Sequence, residues 1–210
     1  VLAAYFKDTP RGFVVDVGAN DGHLNSCSEE LLARGWSGLL IEPSALPFAA
    51  LAAKYRDRPD VTCVNLAVGP YRHMATLYTE PLPSRAQFST LDPEWRDRCI
   101  GQYGATFIEQ VTTLAPLTEI LDEHAKDRHI DFLTVDCEGY DLIVLQTLDW
   151  KRYRPRLVCV EGGFTTNPIM TEKWASRPAS LAKCPDEYLV ELGYRLHATT
   201  IGNRLFEARP

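Results

Sequence analysis

The run Phe13-Val14-Val15-Asp16-Val17-Gly18-Ala19-Asn20-Asp21-Gly22 constrains this chain more than any other stretch. An apolar strand meets a carboxylate, then a turn with glycine at both corners, and a helix is expected beyond it. Strand, glycine turn and helix in that order is how doubly wound α/β sheets bring backbone close to a bound cofactor. The spacing Gly18-x-x-x-Gly22 is not the G-x-G-x-x-G of a dinucleotide site. Asp16 and Asp21 would also face a pyrophosphate with like charge, at a cost of several kcal/mol per close pair at an effective dielectric of ~20. A cationic ligand suits the turn better.

Beyond the turn, strand and helix patterns alternate, which predicts an α/β fold with a doubly wound, mainly parallel sheet. Strands are expected at Phe13 to Val17, Gly38 to Ile41, Val61 to Val68, Ile130 to Val135 and Arg156 to Val160. Helices are expected at His23 to Arg34, Ala45 to Tyr55, Leu117 to His124, Tyr140 to Leu148 and Cys184 to Leu192. Met74 to Tyr78 adds a short extended piece. Gly202-Asn203 joins the runs 193–199 and 204–208 as a hairpin turn. Prolines, glycines and interleaved aromatics break any period near 80–113, and a second loop covers 164–184. A long irregular stretch in a compact domain is a functional cover or a disordered linker, and the interleaved aromatics favour a cover. No repeat or linker divides residues 1–210, so a single domain is expected.

Composition narrows the function. A net charge of −6 argues against a nucleic-acid footprint, which needs a basic stripe. No apolar run reaches the ~18 residues that span a bilayer. The first residues, Val1 to Phe6, lack the basic start of a signal peptide. The six cysteines form no C-x-x-C pair, and three of them lie in apolar runs, where cysteine acts as a small hydrophobe. A cytoplasmic protein is expected.

Four expected strands end in acid: Asp16, Glu42, Asp136 with Glu138, and Glu161. The carboxyl ends of parallel strands form the ligand crevice. Clustered acids there suit a cationic, hydroxyl-bearing ligand such as S-adenosylmethionine (SAM), which carries an ammonium and a sulfonium. Glu42 follows the glycine turn at the distance where an acid accepts ribose hydroxyls. Leu66, Ala67 and Val68 would flank the adenine.

These residues resemble the FkbM-type family of class I SAM-dependent methyltransferases. The resemblance is carried by Val14 to Gly22, the Ile41-Glu42-Pro43 step, and Asp131 to Asp141 with its Asp136-Cys137-Glu138-Gly139 element. It covers roughly residues 12 to 163. It implies a Rossmann-like, seven-stranded sheet closed by a C-terminal antiparallel hairpin, and methylation of hydroxyls on sugars, glycans or polyketide-type products. Cys137 stands where the family usually has an apolar β-branched residue, and Gly162-Gly163-Phe164 is unusual for it.

The expected donor site therefore comprises Asp16, Gly18, Ala19, Asn20, Asp21, Gly22, Glu42, Pro43, Ala67, Val68 and Asp136. An alcohol is a poor nucleophile and needs a base or a metal. Glu138 is the first candidate base, and Asp136 either shares that work or holds the methionine ammonium. Asp136, Glu138 and Glu161 could alternatively gather a hard divalent cation; no metal is assigned. His23, Ser89, Thr90, Trp95 and Glu161 are candidate contacts for a small hydroxylated acceptor. The rival reading is a SAM-binding interaction domain without catalysis.

Overall fold

A computed structural model describes residues 1–81, 89–126, 128–161, 184–200 and 202–209. Chain order among them runs α1 (Leu2–Tyr5), β1 (Phe13–Val17), α2 (Glu29–Ala33), β2 (Ser37–Ile41), α3 (Ala45–Lys54), β3 (Val61–Val64), β4 (Ala67–Val68) and β5 (His73–Thr79). Then come α4 (Pro93–Tyr103), β6 (Ile108–Ala115), α5 (Leu117–His124), β7 (Phe132–Val135), α6 (Asp141–Gln146), β8 (Leu157–Glu161), α7 (Pro185–Glu191), β9 (Tyr194–Thr199) and β10 (Asn203–Ala208). Seven strands form one sheet in the order β3-β2-β1-β7-β8-β10-β9. The first five are parallel, and β10 runs antiparallel to both its neighbours, β8 and β9. The sheet and its closing hairpin are those expected.

Every residue of β1 is buried, because the sheet is covered on both faces. Alternation along the strand divides its side chains between two cores. Val15, Val17, Ile41, Leu133 and Val160 pack on one face with α5 and α6. Val14, Leu40, Phe132, Cys159 and Leu205 pack on the other with α2 and Trp36. Asp16 lies on that second face, one polar group in an apolar row.

Three local expectations are corrected. The helix expected from His23 to Arg34 contracts to α2. Side chains satisfy the backbone ahead of it: Asp21 Oδ1 accepts the His23 and Leu24 N–H groups, both at 2.8 Å, and Ser26 Oγ accepts from Ser28 and Glu29. Such local bonds compete with helix. The strand expected over 61–68 splits into β3 and β4, which join different sheets. Asn65 sits at the break and donates to the carbonyls of Glu42 and Pro43, at 2.8 and 3.1 Å, tying the chain to the end of β2.

The third correction concerns 80–113, which holds α4 and most of β6. Asp92 caps α4 by accepting the Glu94 N–H at 2.9 Å, Pro93 opens it, and Gly104 ends it at φ +62°. Strand β6 pairs with β5 and β4 in a second, three-stranded sheet. Residues 82–88 of the first expected cover, and 162–183 with the second, lie outside the described residues. Among the described residues, no helix is long and apolar enough to cross a membrane.

Candidate active site

The carboxyl ends of β1, β2 and β7 open onto two adjoining cavities. Gly18, Asn20, Asp136 and Glu138 line both, so the glycine turn and the loop after β7 form the partition. The turn is pinned from both sides. Gly18 and Ala19 donate their N–H groups to the Ile41 carbonyl at 3.0 and 3.1 Å. Gly18 has φ +85°, and a Cβ there would lie 1.9 Å from the Asp136 carbonyl oxygen. Only glycine lets the two loops approach so closely.

Glu42 is 5% exposed at the wall of the first cavity. Its Oε2 accepts the Asn20 N–H at 2.9 Å and its Oε1 accepts the Ser44 N–H at 2.7 Å. Burial raises its carboxyl to about 7, against the lowering effect of these two donors. Pro43, Leu66, Ala67, Val68 and Leu77 make an apolar slot beside it. Ser89 and Thr90 stand on the same cavity, with Ser89 Oγ linked through Thr79 Oγ1 (2.9 Å) to Ser44 Oγ (2.6 Å).

The second cavity is more polar. Asp16, Ala19, Asn25, Ser26, Cys27 and Thr134 line it beyond the partition. Ser28 Oγ donates to Asp16 Oδ2 at 2.5 Å. Burial raises Asp16 to about 7, the Ser28 hydroxyl opposes that shift, and Asp136 adds to it. Asp136 is open to solvent within the crevice, yet the surrounding walls exclude enough water to raise its carboxyl as well. Asp141, buried at the start of α6, is raised to about 7 by burial and by Asp136, while the backbone of the 137–141 segment donates to it.

Glu138 adopts φ +49°. Its Oε2 accepts the Trp95 indole N–H at 3.0 Å, and its carbonyl accepts the Thr90 hydroxyl at 3.2 Å. Trp95 itself is packed with Cys99, Ala105 and Phe107 and lines neither cavity. It reaches the crevice through Glu138.

Four other expected residues also stand outside both cavities. Asp21 caps the turn with its side chain. Gly22 makes room for α3, since a Cβ there would lie 2.7 Å from Leu51 Cδ1. His23 points to the surface, with Nδ1 3.0 Å from Glu29, which also binds Lys54. Glu161 pairs with Asn203 at the end of β8. Among the described residues, no group of three or more histidines, cysteines and acids is placed to hold a metal ion.

Several lining residues escaped the sequence reading. Thr134 carried a usable signal, as a hydroxyl inside the apolar run of β7. Leu77 and Tyr140 carried none, because their roles depend on how the two sheets meet.

The sequence matches the methyltransferase FkbM domain over residues 16–196. The chain belongs to the FkbM methyltransferase family. The crystal structure of the methyltransferase FkbM from Methylobacillus flagellatus KT is similar, with 13% identity, a TM-score of 0.52, and coverage of 94% of this chain and 44% of that one. The chain thus spans less than half of that protein, and at this identity the likeness shows the fold. A TehB-like SAM-dependent methyltransferase from Corynebacterium glutamicum shares 10% identity at a TM-score of 0.42, over 98% of this chain and 85% of that one. The human methyltransferase 10 domain containing protein shares 13% at 0.46, over 99% and 80%. No curated protein matches the sequence. As a member of the FkbM methyltransferase family, the chain has the α/β fold its alternating pattern predicted.

Proposed function

We propose that this chain binds SAM across the two cavities and methylates a hydroxyl on a small acceptor, such as a sugar, a glycan or a polyketide-type product. The observation that carries the reading is the buried Glu42 carboxylate. Each of its oxygens accepts one backbone N–H, and a carboxylate has about four acceptor sites. Two sites therefore remain for a ribose diol. The Gly18 turn supports the same reading, because a side chain there would fill the space beside Asp136.

In this reading Leu66, Ala67, Val68 and Leu77 flank the adenine, and Pro43 closes the slot. Asp16 and Asp136 face the methionine ammonium, whose positive charge favours their ionised forms. SAM supplies an electrophilic methyl on its sulfonium. The chain's own work is to orient the acceptor hydroxyl and take its proton. Glu138 and Asp136 share the partition between the cavities and are the two candidate bases. Burial raises the proton affinity of Asp136, which suits it to that work. Ser89 and Thr90 border the acceptor approach, and Trp95 positions Glu138. His23 has no part in it. All six cysteines are thiols, which fits a reducing cytoplasm, and residues 1–210 are read as one domain.

Asp136→Asn and Glu138→Gln separate the roles. Assayed with demethylated glycans and polyketides, the base variant should lose turnover yet keep its affinity for S-adenosylhomocysteine. The indole bond to Glu138 favours a second reading, since it occupies one of the carboxylate oxygens that a base would present to the acceptor. A SAM-binding module would bind S-adenosylhomocysteine and transfer no methyl to any acceptor.

A further inference from the structure

On the second face of the large sheet, register places Leu40, Asp16, Thr134, Cys159 and Leu205 side by side across β2, β1, β7, β8 and β10. Registered neighbours point to the same side. The segment 26–28 lies over the polar part of this row. Ser28 bonds to Asp16, and the Cys27 thiol lies beside the Cys159 thiol and Thr134, near enough for the two thiols to shift each other's titration. Asn203 Nδ2 also donates to Cys27 Sγ at 3.8 Å. Cys27 and Cys159 line one further cavity, and Cys27 lines the polar cavity of the crevice too.

We propose that Cys27 and Cys159 are an oxidisable dithiol whose closure to a disulfide weakens the donor site. Cys27 is the half-buried member, reached from two cavities, and Cys159 is the buried one. The Cys159 thiol lowers the Cys27 pKa, against the opposing effects of burial, Asp16 and Asp136. Hydrogen peroxide is the oxidant class. The Cys27 sulfur attacks one peroxide oxygen, the O–O bond breaks, and a sulfenic acid and one water result. The Cys159 sulfur then attacks the Cys27 sulfur, and its proton leaves with the sulfenic oxygen as a second water. Two thiols lose two electrons in total, and the peroxide gains them.

Closure brings the two sulfurs to an S–S bond of about 2 Å. Cys27 moves toward the sheet, and Ser28 beside it is drawn off Asp16. Loss of that buried bond should lower affinity for the donor about tenfold. This last consequence rests on the SAM reading; the disulfide itself does not.

The test treats the whole chain with stoichiometric peroxide, alkylates the remaining thiols, and maps peptides without reduction. The expected map links Cys27 to Cys159, leaves Cys63, Cys99, Cys137 and Cys184 alkylated, and accounts for a loss of two hydrogens. The oxidised protein should bind S-adenosylhomocysteine about tenfold more weakly, with recovery on reduction. Cys159→Ser should form no link and carry Cys27 on to sulfinic acid; the wild-type map decides alone if that variant does not fold. Sulfinic acid on wild-type Cys27, or a link to another cysteine, would overturn the proposal, and so would a Cys27–Cys159 link with unchanged affinity. If the reduced protein also binds no S-adenosylhomocysteine, the SAM reading fails and donor-site control falls with it, while the peptide map still decides the dithiol.

Discussion

Trp95 Nε1 donates to Glu138 Oε2 at 3.0 Å, so the α4 helix holds a side chain of the loop after β7. The Thr90 hydroxyl holds the carbonyl of the same residue. Between them they fix a carboxylate whose backbone lies in the left-handed region, where a non-glycine residue is strained. The second sheet and α4 thus build part of the crevice.

Trp95→Phe removes the donor and keeps most of the ring. Urea unfolding should show a loss of about 1–3 kcal/mol. Affinity for S-adenosylhomocysteine should change little, because Trp95 lines neither cavity. An unaltered unfolding midpoint would sink the positioning role.

Gly18→Ala should be far worse than Gly35→Ala. Both glycines have positive φ, but a Cβ at Gly35 meets nothing within 4 Å, whereas at Gly18 it meets the Asp136 carbonyl at 1.9 Å. The Gly35 variant should lose about 1–2 kcal/mol from backbone strain alone. The Gly18 variant should lose several times that or fail to fold, as read by circular dichroism and denaturant titration. Equal losses would contradict the close approach of the two loops.

Asp16 sets a pH dependence. Its carboxyl rises from 3.8 to about 7 on folding, so between those values the folded chain keeps a proton that the unfolded chain releases. Stability from this group is full below pH ~4 and is lost as pH rises through ~7. Asp16→Asn stays neutral throughout. Its melting temperature should exceed that of the ligand-free wild type at pH 8, and the gap should narrow as pH falls and close below pH ~4. A gap independent of pH would show that the carboxyl is not desolvated as described.

The parallel sheet was legible because its strands are buried on both faces and read as continuous apolar runs, with Phe13 to Val17 and Phe132 to Val135 as examples. Glu42 was legible because it follows such a run directly and sits at a fixed distance from the glycine turn. Helix α4 was not, although Asp92-Pro93 and Gly104 frame it. Glu94, Arg96, Asp97 and Arg98 leave it only a narrow apolar stripe, which packs through Trp95 and Cys99. His23 stands away from the crevice for a related reason. Its place after the turn suggested the crevice, but the Asp21 cap turns the chain outward toward Glu29. Contacts between distant segments, such as Ser28 with Asp16, leave no periodic trace.

Calorimetric titration of S-adenosylhomocysteine into the wild-type chain and Glu42→Ala tests the central claim most directly. The account predicts one site per chain in the wild type, with affinity reduced about tenfold or more in a variant that remains folded. A wild-type chain that binds no S-adenosylhomocysteine, or a folded Glu42→Ala that binds it equally well, would contradict the account.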